Sequence, residues 1–113
     1  MAIELLDERE AGRLLAVEDG SVVGFIAYFV LEGESRALVA VHTVVEPGHE
    51  GRGIAGDLVG RFYAIAAEEG VPVVPLCPYA ARWAAKNPER APVAPPSVVD
   101  AAIAQLDRDS DLW

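Results

Sequence analysis

The stretch Ser21-Val-Val-Gly-Phe-Ile-Ala-Tyr-Phe-Val-Leu31 constrains this chain most, because it carries no charge and is dense in β-branched and aromatic residues. That is the composition of a strand with much of its surface buried. Residues 36–45 repeat the pattern. There Leu38, Ala40, His42 and Val44 alternate with Ala37, Val39, Val41, Thr43 and Val45, so neither face is clearly polar. A strand apolar on both faces is expected to be central and covered on both sides. Between the two runs, Glu32-Gly-Glu-Ser35 reads as a turn. Upstream, Asp19-Gly20 is a two-residue hairpin signal, since such a turn needs φ > 0 at both positions. Residues 13–18 then form the first strand of a three-stranded antiparallel meander.

The remainder alternates helix and strand. Glu46-Pro-Gly-His-Glu50 reads as a loop, followed by a helix over about residues 53–69. Ile54, Leu58, Phe62 and Ile65 make one apolar stripe along it, and Gly70 supplies the C-terminal stop. Residues 71–76 are a short apolar strand whose two prolines, Pro72 and Pro75, place it at an edge or interrupt its pairing. A second helix spans residues 78–86, with proline at an early position and Asn87-Pro88 as its end. Residues 91–96 resemble a stiff extended linker. Beyond it, Ser97 and Asp100 have the spacing of a helix N-cap box, which opens a short helix through Leu106. No internal repeat is present. The order predicts an α+β, or mixed α/β, fold, divided into a domain over residues 1–90 and a Pro-rich linker with a short acidic helix or tail over residues 91–113. Trp113 is expected to be exposed at the end of that tail.

Charge and cysteine usage exclude several functions. The formal net charge is -9 over 113 residues. A chain this acidic is not expected to take nucleic acid or an anionic membrane as its main partner. Cys77 is the only cysteine, so neither an internal disulfide nor a multi-cysteine metal centre is expected. His42 and His49 are separated by a Pro-Gly turn and lack convincing metal spacing, so no metal site is expected. The run Ser21–Leu31 is too short to span a bilayer, and Met1 to Glu8 has no basic region of the signal-peptide kind. The expected setting is cytoplasmic. The charge is uneven: residues 1–20 sum to -4, residues 100–113 to -3, and residues 21–99 to only -2. Chemistry is therefore expected in the middle of the chain.

That middle holds Glu50-Gly-Arg-Gly-Ile-Ala-Gly56, placed after the two-sided strand and opening a helix. Glycines let the backbone approach a ligand, and free N–H groups at a helix start attract anionic oxygens. Arg52 adds a cation with forked geometry for phosphate. The chemistry points to phosphate or pyrophosphate; the plainer reading is a flexible turn with a glycine-permissive helix start. Gly51-x-Gly53-x-x-Gly56 also matches a dinucleotide-binding pattern, which keeps an NAD(P)-binding protein as an alternative. Its context is wrong for that fold, since a loop and an antiparallel meander precede it, and Leu76 and Cys77 stand where an acid is expected.

Over about residues 13–90 the chain resembles the GNAT-type N-acetyltransferases, and within them a very small, single-domain YjdJ-type branch. The resemblance rests on His42-Thr43-x-Val45, Gly51-Arg-Gly-Ile-Ala55, Cys77-Pro-Tyr79 and Lys86-Asn-Pro-Glu89. The family pattern Q/R-x-x-G-x-G/A has Glu50 at its first position here, with Gly53 and Ala55 at the other two. Arg52 is expected to compensate for that departure.

The resemblance implies a minimal GNAT-like fold: a mostly antiparallel central sheet with one splayed strand pair and helices on both faces. It also implies acetyl-CoA as cofactor and an amine as acceptor, either a small molecule or a protein. Strand-end amides around Val44 and Val45 would bind the pantetheine arm. The amides of Gly51, Arg52, Gly53, Ile54, Ala55 and Gly56 would take the pyrophosphate, and the thioester would lie near Cys77. His42 is then either the general base or a hydrogen-bonded strand histidine. Cys77 either protonates the departing thiolate, accepts the acetyl group, or is a small buried hydrophobe. Tyr79 either donates a proton to the thiolate or packs. His49 is expected to be solvated, and Phe62, Tyr63 and Trp83 to pack. The helices that larger members insert between their first two strands have no room at Asp19-Gly20, so the acceptor site is expected to be open. A non-catalytic CoA-binding or partner-binding module is the other reading.

Overall fold

The computed structural model describes residues 3–31, 33 and 36–109. Its sheet runs in sequence order through β1 (Glu4–Glu8), β2 (Arg13–Glu18), β3 (Ser21–Leu31), β4 (Ala37–Val45) and β5 (Val73–Pro75). The first four strands are antiparallel, and β5 lies parallel to β4. The helices are α1 (Ile54–Glu69), α2 (Pro78–Lys86) and α3 (Pro96–Arg108). A sheet in sequence order with antiparallel strands through β4 lacks the strand-order reversal of a doubly wound dinucleotide fold. Among the described residues, no helix is long and apolar enough to cross a membrane.

The meander forms as its residues predict. Asp19 and Gly20 both adopt positive φ, 52° and 79°, which matches the twist of the flanking strands. Most of the expected turn at residues 32–35 lies outside the described residues, as does Trp113. One element was not foreseen. Residues 4–8 pair with β2 as an edge strand, followed by a 3-10 turn at Arg9–Ala11. Asp19-Gly20 therefore joins the second and third strands, and the first connection is the turn at Arg9–Ala11. Charged residues along this edge discourage pairing with another chain.

The register of β4 changes partway along. His42 lies opposite Ala27, whereas Ala40 lies opposite Tyr28, so Val41 is an extra residue between them. A bulge of this kind reverses which side chains face which way. Ahead of it, Leu38 and Ala40 belong to one core, and Ala37 and Val39 to the other. After it, Val45 packs with the first core, while His42 and Val44 are exposed on the opposite face. Simple alternation had placed His42 and Val44 with Leu38 and Ala40.

One core lies under α1. Ile54, Leu58, Phe62 and Ile65 are all buried there, as the stripe predicts, against Leu14, Ile26 and Tyr28. The rings of Tyr28 and Phe62 meet edge to face at 5.0 Å. Burying each large side chain contributes about 1.5–3 kcal/mol, so packing rather than propensity holds α1. Tyr63 stacks on Trp83 of α2 at 5.5 Å. The other core is covered by α3, where Val98 and Ala102 meet Leu31, Val39 and Val74. The expected N-cap box does not form. The cap residue is Pro95, no side chain caps the helix, and Pro96 begins it, because its ring presets the helical φ. Residues 91–94 pass round the sheet beside β5: Ala91 is buried in the first core and Ala94 in the second.

Gly12 closes the first connection at φ 70°, and a Cβ added there would sit 2.6 Å from the Tyr28 carbonyl oxygen. Gly20 has a similar φ with open space around it. We expect Gly20→Ala to cost about 1 kcal/mol from backbone strain alone, and Gly12→Ala to cost clearly more. Urea unfolding of the two variants checks this; equal losses would show that the Tyr28 contact imposes no constraint.

Candidate active site

The site begins where β4 outlasts β5. The two strands pair only at Leu38–Val73, Val39–Val74 and Ala40–Pro75. The N–H groups of Leu76 and Cys77 then both donate to the Ala40 carbonyl, at 3.0 and 3.1 Å. Residues 41–45 of β4 continue beyond that ladder. Glu46 N–H donates to the Val23 carbonyl on the β3 side at 2.8 Å, so strand alternation turns the Val45 amide toward the open edge. The same alternation turns the Val44 amide toward β3. Of the two residues expected to hold pantetheine, Val45 is the one that offers its amide to the gap.

Cys77 stands at that gap as the N-cap residue of α2, and is 5% exposed. Its sulfur lies 3.3 Å from the Thr43 hydroxyl oxygen. The thiol donates to that oxygen; burial pushes its pKa up, but the hydrogen bonds that the Thr43 hydroxyl and the amides of Ala80, Tyr79 and Thr43 give the ionised sulfur outweigh burial and leave the pKa below its ordinary value. These groups stabilise a thiolate with dipoles, at a helix start where the backbone field favours negative charge. The bulge at Val41 makes this possible, because without it Thr43 would point to the other face.

The glycine loop joins β4 to α1 on the Cys77 side of the sheet. Gly48, Gly51 and Gly53 take φ of 89°, 79° and 82°, which other residues adopt only with strain. Gly53 is the N-cap of α1 and no side chain caps the helix. The first amides of α1, at Ile54, Ala55 and Gly56, therefore lack intrahelical partners and form an anion-seeking cluster. Arg52 is not the open cation expected from the sequence. Its guanidinium is forked on Glu18, with distances of 3.0 and 2.5 Å, and Nη1 also lies 3.0 Å from His49 Nδ1. Arg52 holds the Glu18 carboxyl below the usual carboxylate range. His49 is half-buried against this pair rather than solvated. The Gly48 amide donates to Glu50 Oε2 at 3.3 Å.

Tyr79 lies with Cys77 and the loop. A Cβ placed on Gly56 would be 3.7 Å from the Tyr79 hydroxyl and 3.9 Å from Trp83 Nε1, so both polar tips reach the first turns of α1. Phe62 and Tyr63 pack, as expected. His42 lies on the opposite face of the sheet, where it lines a recess of about 400 Å³ with Gly12, Arg13, Phe25 and Val44. Arg13 covers the Phe25 ring at 4.6 Å. The structure thus brings together Cys77, Tyr79, Val45 and residues 51–56, and sets His42 apart from them. Two residues were missed. Thr43 becomes visible only once the bulge is known, and Glu18 has no local signal because its partner is 34 residues away. Among the described residues, no group of three or more His, Cys, Asp or Glu side chains is placed to hold a metal ion.

The model of the GCN5-related N-acetyl-transferase family matches residues 13–93, and the chain belongs to that family. Three solved structures are similar. A ribosomal-protein-alanine N-acetyltransferase from Brucella melitensis biovar Abortus 2308 is 28% identical, with a TM-score of 0.54 over 73% of this chain and 64% of that one. A predicted acetyltransferase with acetyl-CoA from Clostridium acetobutylicum is 17% identical, with a TM-score of 0.54 over 66% and 55%. A GCN5-related N-acetyltransferase from Ralstonia eutropha JMP134 is 21% identical, with a TM-score of 0.51 over 74% and 58%. The last two share the fold, and the chain spans less than two thirds of the length of each of the three. No curated protein matches the sequence.

If the Thr43 hydroxyl helps to hold the Cys77 thiolate, Thr43→Val raises the thiol pKa. The alkylation rate of Cys77 by iodoacetamide, followed against pH, then shifts to higher pH, and Thr43→Ser restores the original profile. An unchanged profile in Thr43→Val would show that the remaining amides suffice.

Proposed function

We propose that the protein is an acetyl-CoA-dependent N-acetyltransferase that passes an acetyl group to an amine, with residues 1–90 as its acetyl-CoA-binding unit and α3 covering the back of the sheet. The observation that carries this reading is the position of Cys77, buried at the N-cap of α2 beside the open edge of β4 with its sulfur 3.3 Å from the Thr43 hydroxyl oxygen. In this reading the amides of residues 51–56 receive the pyrophosphate, the Val45 amide takes the pantetheine arm, and the thioester reaches Cys77.

The chemistry follows from those positions. The Cys77 thiolate attacks the thioester carbonyl, the carbon–sulfur bond to CoA breaks, and the CoA thiolate leaves, taking a proton from Tyr79. The amine then attacks the acetyl-cysteine, Cys77 departs as thiolate, the amine's proton passes to its general base, and Tyr79 regains its proton from solvent. The alternative route is direct transfer, with Cys77 as proton donor to the leaving thiolate. The acceptor approaches from the opposite face through the recess at His42, where His42 serves as general base for the amine. Only the short turn at Arg9–Ala11 separates β1 from β2, the point where larger members of the family insert helices. That leaves the recess open and suits a large acceptor such as a peptide. The Brucella relative, named for a protein acceptor, supports a protein N-terminus as the first acceptor to try.

Coenzyme A at a hundredfold excess over its Kd should stabilise the fold by about 2.7 kcal/mol, seen as a rise in melting temperature, and Gly53→Glu should abolish that rise. No rise in the parent protein would overturn the cofactor assignment. Incubation with acetyl-CoA should add one acetyl group at Cys77 by intact mass, and Cys77→Ala should slow transfer to an alanine-initiated peptide at least a hundredfold. Full transfer without acetyl-cysteine on rapid quenching would favour the direct route. Binding without turnover on any amine would show a CoA-binding module.

A further inference from the structure

The phosphate-seeking groups of the loop are partly occupied by the chain's own carboxylates. Arg52, the only Lys or Arg between residues 46 and 56, has one oxygen of Glu18 on each terminal nitrogen. Glu50, at the position where the family pattern has Gln or Arg, accepts the Gly48 amide. Glu18 is not a mobile surface side chain. It ends β2 opposite Ser21, its neighbours Asp19 and Gly20 form the tight turn, and it is 9% exposed. A strand end thus holds a carboxylate against the loop at a fixed point. The Arg52 side chain is 42% exposed, so it can turn outward while Glu18 stays.

A phosphate that uses the Arg52 fork must take it from Glu18, because both present oxygens to the same N–H groups. A phosphate that leaves the pair intact must sit beside a neutralised arginine and gains little from it. In either case the Glu18 charge opposes the phosphate charge. We propose that Glu18 is an affinity- and specificity-determining residue of the loop: it competes with the cofactor's phosphates for Arg52, and binding proceeds by exchange of one carboxylate for phosphate oxygens. This rests on the loop being the CoA pyrophosphate site. The exchange asks the same of every ligand and so cancels from the comparison between them, whereas the repulsion from Glu18 grows with ligand charge. Glu18 therefore lowers the preference for a diphosphate over a monophosphate. The competing account is that the pair is a strap that holds the loop in shape for its ligand, and the two accounts predict opposite signs.

The test is calorimetric titration of coenzyme A and of 4′-phosphopantetheine into the parent protein, Glu18→Gln, Arg52→Gln and the double variant. Competition predicts that Glu18→Gln binds coenzyme A about tenfold tighter, with a larger preference for coenzyme A over 4′-phosphopantetheine than the parent shows. It also predicts that the double variant binds coenzyme A tighter than Arg52→Gln alone, since removing Glu18 then removes an uncompensated repulsion. Equal or weaker binding by Glu18→Gln overturns the proposal and supports the strap. So does a double variant that matches Arg52→Gln, and this comparison holds even if Glu18→Gln loosens the loop. Absence of coenzyme A binding in all four proteins overturns the cofactor reading itself, whereas binding by the parent without the predicted order overturns this inference alone.

Discussion

Everything at the candidate site depends on one extra residue in β4. Ahead of Val41, β4 is buried on both faces between α1 and α3, and its side chains obey strict alternation. Past Val41 the parity is reversed. Thr43 and Val45 turn to the face of α1 and the glycine loop, and His42 and Val44 to the face with the recess. A bulge leaves one residue unpaired and bends the strand. Here it does so just where β5 stops, so the strand pair opens and the side chain that meets Cys77 is delivered by the same irregularity.

The electrostatics follow a consistent pattern in a chain of net charge -9. The groups that lower the Cys77 thiol are a hydroxyl and three backbone amides, so the shift comes from dipoles and not from a charged partner. Near the glycine loop, the arginine is already matched by a carboxylate. With Glu46 and Glu50 also on the loop, the side chains there carry an excess of negative charge, and the loop's attraction for anions comes from oriented amides. Such attraction is short-ranged and depends on backbone geometry, which explains the three left-handed glycines within six residues.

Much of the fold was legible because its signals are local. The Asp19-Gly20 turn, the stripe from Ile54 to Ile65, the prolines that mark β5 as an edge and the bounds of α2 each depend on residues a few positions apart. What was not legible is long-range or silent. Glu4-Leu-Leu-Asp-Glu8 carries charges that mask a strand. Nothing in Val41-His42-Thr43 marks the bulge, since valine suits either side of it. Ser97 and Asp100 have capping chemistry, but Pro95 and Pro96 had already fixed where α3 begins. In the site, the glycine loop and Cys77 were readable from type and spacing. The Glu18–Arg52 pair and the separation of His42 from Cys77 required the sheet.

The passage of residues 91–94 round the β5 side of the sheet bears on how the chain is made. β5 is three residues long and parallel, which is the slow kind of pairing to establish. Its outer side and the second face stay uncovered until Ala94, Val98 and Ala102 arrive. During synthesis the residues of α1 and β5 emerge before these, so a nascent chain exposes Val39 and Val74 to its surroundings for a time. The Pro-rich segment is stiff and needs little entropy to lay down, which shortens that interval. Its service to the protein is then as much to the unfinished chain, which it seals against its neighbours, as to the finished one.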